Sequence, residues 1–442
     1  MDSLWAYILG IVVFLIGLAI SIALHEIGHL VPAKKFGVHV GQYMIGFGPT
    51  IFSKKFGETE YGVKAIPLGG YISMGGMYPP DKLPTDSPSR SRRWFGKLVQ
   101  DARAASDESM QGVDESRAVY NLPVYKRIII MLGGPMMNLL LAFVLFAVLL
   151  MGFGQAQTTT TVSAVTACVT KSGVPASCSS ETIAAPGAAA GLQAGDKIVS
   201  VNGTSVTSWE QGTNVIRSSA GKPVTVVVER GGAKQTLIIT PVLAERAVYD
   251  PTTGKAVTDA AGNPVTEKVG FVGMSPTVAM TPQPITAVFA TTGENVVAVG
   301  NMILHLPERL VGVANAAFGT EARDANGPIS VVGVARVSGE ISSTTAIPAE
   351  SKVASMIGIL ASLNVALFVF NLVPLLPLDG GHIAGALYEA IRRRIAKWRH
   401  KPDPGPFDTA RLMPLTLVVV AVLGSMSVLL IYADIFKPVT IL

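Results

Sequence analysis

The chain has 442 residues, of which 49% are hydrophobic and only 15% charged, with a mean hydropathy of +0.45. That balance excludes an ordinary soluble globular protein, in which about a quarter of residues are charged, and points to a membrane protein. The net charge of +5 calls for no nucleic-acid partner, because in membrane proteins Lys and Arg report mainly on topology.

Four apolar stretches, 4–24, 128–153, 353–378 and 412–433, contain no Asp, Glu, Lys, Arg or His. Each reaches the length of about 20 residues that a helix needs to cross a bilayer. The first lacks the basic start and small-residue cleavage site of a signal peptide, so an uncleaved helix is expected. Lys and Arg number 14 in residues 31–127 and 7 in residues 392–411, against 12 across the much longer 154–351. The positive-inside bias therefore puts the first two regions in the cytoplasm and the long middle region outside. With four spans, both termini also lie outside.

In chain order, the first span (1–37) ends in "HEIGH". Residues 38–80, with "GFGPTIF" and "PLGGYISMGGM", read as Gly-turned hairpins associated with the membrane. Such a sheet must be covered by protein or line a cavity, because open strand edges do not face lipid. Residues 81–125 read as a cytoplasmic loop, mobile over the Ser-, Arg- and Asp-rich 81–118. The second span (126–153) contains "GGPMMN". Its glycines and proline would either loosen the helix or admit a close neighbour, and Asn138 wants a hydrogen-bond partner at that depth. Residues 160–243 form an external α+β module: "GLQAGDKIVSVNGTSV" gives a helix, a strand and an Asn-Gly turn, and "VTVVVERGGAKQTLII" gives a second hairpin. The stretch "GLQAGDKIVSVNG" resembles a bacterial PDZ domain, which binds extended peptide as an added strand. Cys168 and Cys178 fall in this external region as one disulfide or as two small buried thiols. The post-module region (244–351) holds a loop at 246–280 that returns to a strand and amphipathic helices at 284–318 lying on the outer membrane face. The third span (352–390) carries "LDGG", a basic cytoplasmic loop (391–411) follows, and the fourth span (412–436) closes the chain.

Chemistry gathers at two places. In His25-Glu26-Ile27-Gly28-His29 the imidazoles, at i and i+4, share a helix face and can reach one metal ion. Glu26 beside them can serve as base towards a water at that ion. A catalytic zinc takes three protein ligands and keeps one position open. The carboxylate that stands out at a span end is Asp379, between Pro374 and Pro377 on one side and Gly380-Gly381 on the other. Those prolines cannot all continue a helix, so the backbone should open there. Peptide hydrolysis at one catalytic zinc ion is the reaction such a set performs. His382 reads as solvated or structural, and His39, His305 and His400 as ordinary surface or core residues.

HEIGH in the first span, GGPMMN in the second, the PDZ-like insert and LDGG in the third together resemble the site-2 proteases, intramembrane zinc metalloproteases. The layout is most similar to the bacterial regulator of sigma-E protease type in an actinobacterial form with one PDZ domain. The resemblance implies a polytopic α-helical protein of the bacterial inner membrane, with its active site near the cytoplasmic side. It implies His25, His29 and Asp379 as ligands, Glu26 as catalytic base, and Asn371 and Pro374 beside bound substrate. It also implies a guiding role for the 41–76 hairpins, with Gly69 and Gly70, in holding substrate as an added strand. Asn138 would support the site. Substrates would be single-span membrane proteins such as anti-sigma factors, and remnant signal peptides. Where the family often places a second proline, this chain has Leu376, with Pro377 one position later. The competing class is a non-catalytic receptor or scaffold that binds peptides through its PDZ-like domain. The sequence carries no signal for an oligomeric state.

Overall fold

The computed structural model describes residues 2–79, 90–170, 174–248, 256–259, 264–320, 323–324 and 327–439. It divides into two compact units, Met1–Phe153 with Gln283–Leu442, and Gly154–Pro282.

Helix α1 (Asp2–Lys35) ends in Lys34 and Lys35, cations that suit the negative end of the helix dipole. Strands β1 (Val40–Phe56) and β2 (Thr59–Met74) form an antiparallel hairpin. Gly46 and Gly48, at φ +91 and +83, let β1 turn sharply, as few other residues can. Residues 42–45 are therefore flanked by 60–63 on one side and 70–73 on the other.

Helix α2 (Arg90–Glu108) corrects the expectation of a loop over 81–118; residues 81–89 of that segment lie outside the described residues. The helix is held by distant partners. Ser106 is buried and bonds both Tyr78 N and Tyr78 O, and Arg103 pairs with Asp408. Local periodicity cannot register such contacts. Helix α3 (Val124–Ala147) passes through Pro135 unbroken and continues as π-helical turns over Val148–Phe153. Its glycines admit a close neighbour; they do not loosen the helix.

The second unit runs β3 (Gln155–Val165), the short β4 (Cys168–Val169), β5 (Pro175–Ala176) and β6 (Ile183–Ala184), then α4 (Pro186–Ala189), β7 (Lys197–Val201), β8 (Thr204–Ser205) and α5 (Trp209–Arg217). It continues with β9 (Val224–Arg230), β10 (Ala233–Ile239), β11 (Val242–Ala247), β12 (Thr266–Phe271) and β13 (Met274–Thr281). Its main sheet has the order β10-β9-β7-β3-β13, with β8 on β7, while β11 and β12 pair separately. Thus 246–280 holds hairpin strands and the unit extends to Pro282. Asn202-Gly203 and Gly231-Gly232, all at positive φ, close the two tight hairpins that twist in the sheet's own sense. Val224, Val226 and Val228 alternate inward to a core with Val162, Ile198, Val201 and Ile239. Cys168 and Cys178 are joined as a disulfide.

Five helices follow the second unit before the last: α6 (Ile285–Leu304), α7 (Leu306–Phe318), α8 (Val331–Ser343), α9 (Ala349–Asn371) and α10 (Asp379–Trp398); α11 (Met413–Phe436) ends the fold. Among the described residues, five helices are long and apolar enough to cross a membrane: α1, α3, α6, α9, and α11 with the turn before it. Of these α6 has the lowest hydropathy; the sequence reading placed it on the membrane surface. The third apolar stretch does not continue as one helix, since α9 stops at Asn371 and α10 starts at Asp379.

Asp196 ties the 191–196 turn of the second unit to β9. It is 1% exposed, and its two oxygens accept from Arg230 at 2.6 and 2.7 Å and from Gln193 N at 2.9 Å. The Arg230 guanidinium holds this carboxyl below the usual carboxylate range. Stability from the pair is therefore complete at neutral pH and lost as pH falls through the lowered value. Asp196→Asn should speed amide exchange at Gln193 in the intact chain and remove its acid sensitivity; unchanged protection would contradict this.

Candidate metal centre

Histidines four residues apart on α1 point the same way. What meets them is the face of α3 formed by Ile130, Gly134 and Asn138, also spaced by four. The approach is close because Gly28 of α1 lies against Gly133 of α3: a Cβ on either would collide with the other's carbonyl. A Cβ on Gly134 would fall onto His29 Nε2 and lie 2.7 Å from His25 Nε2. Only a glycine leaves room there for both imidazoles.

That proximity fixes the outer nitrogen of each ring. His29 Nδ1 is 2.7 Å from the Ile130 carbonyl, so Nδ1 carries the proton and donates, leaving the Nε2 lone pair free. Asn138 lies with its Nδ2 3.2 Å from His25 Nδ1. Its Oδ1 is buried and has no hydrogen-bond partner among the described residues. One turn before His25, Ser21 accepts from Asn364 Nδ2 at 2.9 Å, which joins α1 to α9.

Asp379 enters from α10 as its first residue. Its Oδ2 is 3.3 Å from both His25 Nε2 and His29 Nε2, and the two Nε2 atoms are 3.2 Å apart. The three side chains are 11%, 4% and 17% exposed. Asp379 Oδ2 is buried and among the described residues receives no hydrogen bond, a costly state for an anionic oxygen unless a cation serves it. Two imidazole nitrogens and one carboxylate oxygen within 4.8 Å of one another fit zinc, leaving one position open as catalytic sites do.

Glu26 is 8% exposed and meets β2. A Cβ on Gly70 would lie 3.1 Å from Glu26 Cγ and 2.9 Å from Ile22 Cγ2, so glycine lets this strand pass directly over the glutamate. Gly69 adopts φ +133 beside the Phe47 ring. Residues 70–74 form one margin of the hairpin sheet, paired with 40–45 on their inner side.

Asn371 ends α9, and Pro374 stands exposed in the 372–378 connection. Pro374 lines an apolar cleft of about 320 Å3 with Leu376, Tyr388 and Phe407. Neither touches the three-residue cluster through a hydrogen bond. His382 is not solvated: it faces a small cavity with Arg127, Met131 and Thr409. His39 pairs with Glu58 at 3.3 Å. Sequence reasoning missed the Ile130 carbonyl, which as backbone leaves no signal; Gly134 it marked only as one glycine of a pair that could admit a close neighbour.

The sequence profile of peptidase family M50 matches residues 13–402. Zinc metalloprotease Rip1 of Mycobacterium tuberculosis is 34% identical over 439 residues, covering 98% of both chains. Its counterpart in Mycolicibacterium smegmatis is 35% identical over 448 residues, again covering 98% of each. Metalloprotease MmpA of Caulobacter vibrioides is 28% identical over 400 residues, 88% of each chain.

Gly134→Ala should leave the protein in the membrane but lower its zinc content to well below one ion per chain, measured by elemental analysis of purified protein. Full occupancy in that variant would mean that the α1–α3 contact does not set the imidazoles.

Proposed function

The chain belongs to peptidase family M50, the site-2 proteases, and from that premise we propose that it cleaves single-span membrane proteins within or beside their spans. It is a zinc metalloendopeptidase of a multi-pass membrane class. Anti-sigma factors and remnant signal peptides are the substrates we assign to it. The observation that carries this reading is the convergence of His25, His29 and Asp379 at 3.2–3.3 Å between α1, α3 and α10.

His25, His29 and Asp379 would hold the ion. When bound, zinc supplies Lewis acidity, lowering the pKa of a water to about 7 and polarising a carbonyl. Glu26, adjacent on α1 and enclosed beneath Gly70, takes the water's proton and delivers it to the leaving amine. The margin at 70–74 offers backbone groups to an extended peptide immediately beside Glu26, which would compensate hydrogen bonds that a substrate helix loses on unwinding. Asn371 and Pro374, in the stretch just before Asp379, we also assign to the neighbourhood of bound substrate.

Asn138 orients His25. With its amide turned so that Oδ1 faces the ring, Nδ1–H donates to it and Nε2 is left free, matching His29. This satisfies an oxygen that otherwise has no partner.

The Gly154–Pro282 unit we read as a PDZ-like domain outside the cell membrane. Support comes from β13, at the edge of the main sheet, and from a cleft of about 920 Å3 lined by Trp209, Thr213 and Ile216 of α5 and by Phe271–Met274. An extended peptide can add to β13 there. On this topology four helices cross, both termini lie outside, and α6, with Glu294 midway, rests on the outer surface.

Glu26→Gln should retain zinc and membrane insertion while cleavage of a co-expressed single-span substrate falls about a hundred- to ten-thousand-fold. A fully active Gln variant would sink the assignment. Asn138→Leu should weaken zinc binding about 10–100-fold, and Asn138→Asp, which keeps an acceptor, should restore it; equal zinc affinity in all three forms would remove Asn138 from the site.

A further inference from the structure

Helix α10 presents two unlike faces. The inner one buries Gly385, Ala386 and Glu389. Glu389 is wholly enclosed, pairs with Arg127 of α3 and with Arg393, and accepts from Phe407 N at 2.9 Å. The outer face carries Leu387, Ile391, Ile395 and Trp398, which are 49%, 59%, 44% and 78% exposed. At about 100° per residue these four fall in a stripe roughly 80° wide, with Tyr388 at its border. Exposed Arg394 and Lys397 flank the stripe on one side and exposed Arg399 on the other. Among the described residues none of the three meets a carboxylate.

The direction of the helix gives this stripe its meaning. Asp379 and Glu389 are ten residues, or about 15 Å, apart along α10. On the α3 side, the two Nε2 atoms that Asp379 faces lie against Gly134, while Glu389 meets Arg127, about 10.5 Å apart along that axis. Helix α10 therefore runs obliquely over α3 towards the end at which α3 begins, and α3 is one of the helices suited to cross the bilayer. A helix oblique to the spans, with an apolar stripe between cations at that end, has the form of one seated at the water–lipid boundary.

We propose that α10 docks on an anionic lipid surface, with Leu387, Ile391, Ile395 and Trp398 among the upper acyl chains and Arg394, Lys397 and Arg399 on phosphate headgroups. A second copy fits poorly, since two such faces would oppose cations to cations. Because the helix starts at Asp379, the same contact holds that carboxylate against the two histidines; this last step rests on the proposed metal role, while the lipid contact does not.

The test uses full-length protein in which Trp5, Trp94 and Trp209 are replaced by Phe, leaving Trp398 as reporter. It is reconstituted in phosphatidylcholine vesicles with or without phosphatidylglycerol, the lipids brominated high on the acyl chain. Trp398 emission should be quenched at least twofold with phosphatidylglycerol present. Replacing Arg394, Lys397 and Arg399 by Ser should cut the preference for that lipid about fivefold per cation. Unquenched Trp398, quenching independent of lipid charge, or shielding that grows with protein concentration would each overturn the proposal. Zinc content read on the same vesicles separates the two ideas. Quenching with zinc lost in every form keeps the lipid contact and fails the metal reading; zinc retained equally with and without the cations removes the link to Asp379.

Discussion

Backbone-to-backbone approach of α1 and α3 is the constraint on which the centre rests. Helices normally pack with 8–10 Å between axes, set by the side chains between them. Gly28 and Gly133 remove those side chains at the crossing, and Gly134 presents bare backbone to the imidazoles. Only then can the Ile130 carbonyl reach His29 Nδ1 at 2.7 Å. A carbonyl already bonded within its own helix still has a second lone pair, so α3 can orient the ring without surrendering a helical hydrogen bond. The metal-facing tautomer of His29 is thus a consequence of residues that carry no chemistry themselves.

Three polar side chains elsewhere among the apolar helices each tie two elements that the chain separates. Asn364 joins α9 to α1 through Ser21. Glu389 joins α10 to the start of α3 through Arg127. Asp434 of α11 is buried, pairs with Arg323 and accepts from Ser330 N at 2.6 Å, at the start of α8. A buried charge without a partner costs several kcal/mol, and removing one member of a buried pair is strongly destabilising. These pairs therefore specify which helices adjoin more sharply than the apolar contacts, which lipid could replace.

The sequence made the cluster legible because its logic is local or subtractive. Positions 25 and 29 share a face by helical geometry alone, and Asp379 stood out as an acid beside apolar stretches. The two hairpins of the second unit were equally legible, since Asn202-Gly203 and Gly231-Gly232 demand positive φ. Less was readable where long-range contacts decide. Helix α2 is fastened by Ser106 and Arg103 to Tyr78 and Asp408. His382, three residues past Asp379, read as solvated or structural, and α10 turns it inward to face Arg127 and Thr409. The glycines of GGPMMN suggested either loosening or close approach. Only the partner, Gly28, decides between them, and it lies on another helix.

Asp379 is delivered by a helix terminus, and that choice has a cost and a use. Breaking α9 at Asn371 leaves backbone groups without helical partners, which only protein or water can satisfy at membrane depth. The break puts the first turn of α10, the positive end of its dipole, behind the carboxylate and so favours the anion a metal ligand must be. It also frees α10 to change direction. Helix α10 runs obliquely over α3, keeps the Glu389–Arg127 ion pair, and turns Leu387, Ile391, Ile395 and Trp398 outward. The same interruption thus determines how the proposed third ligand is anchored.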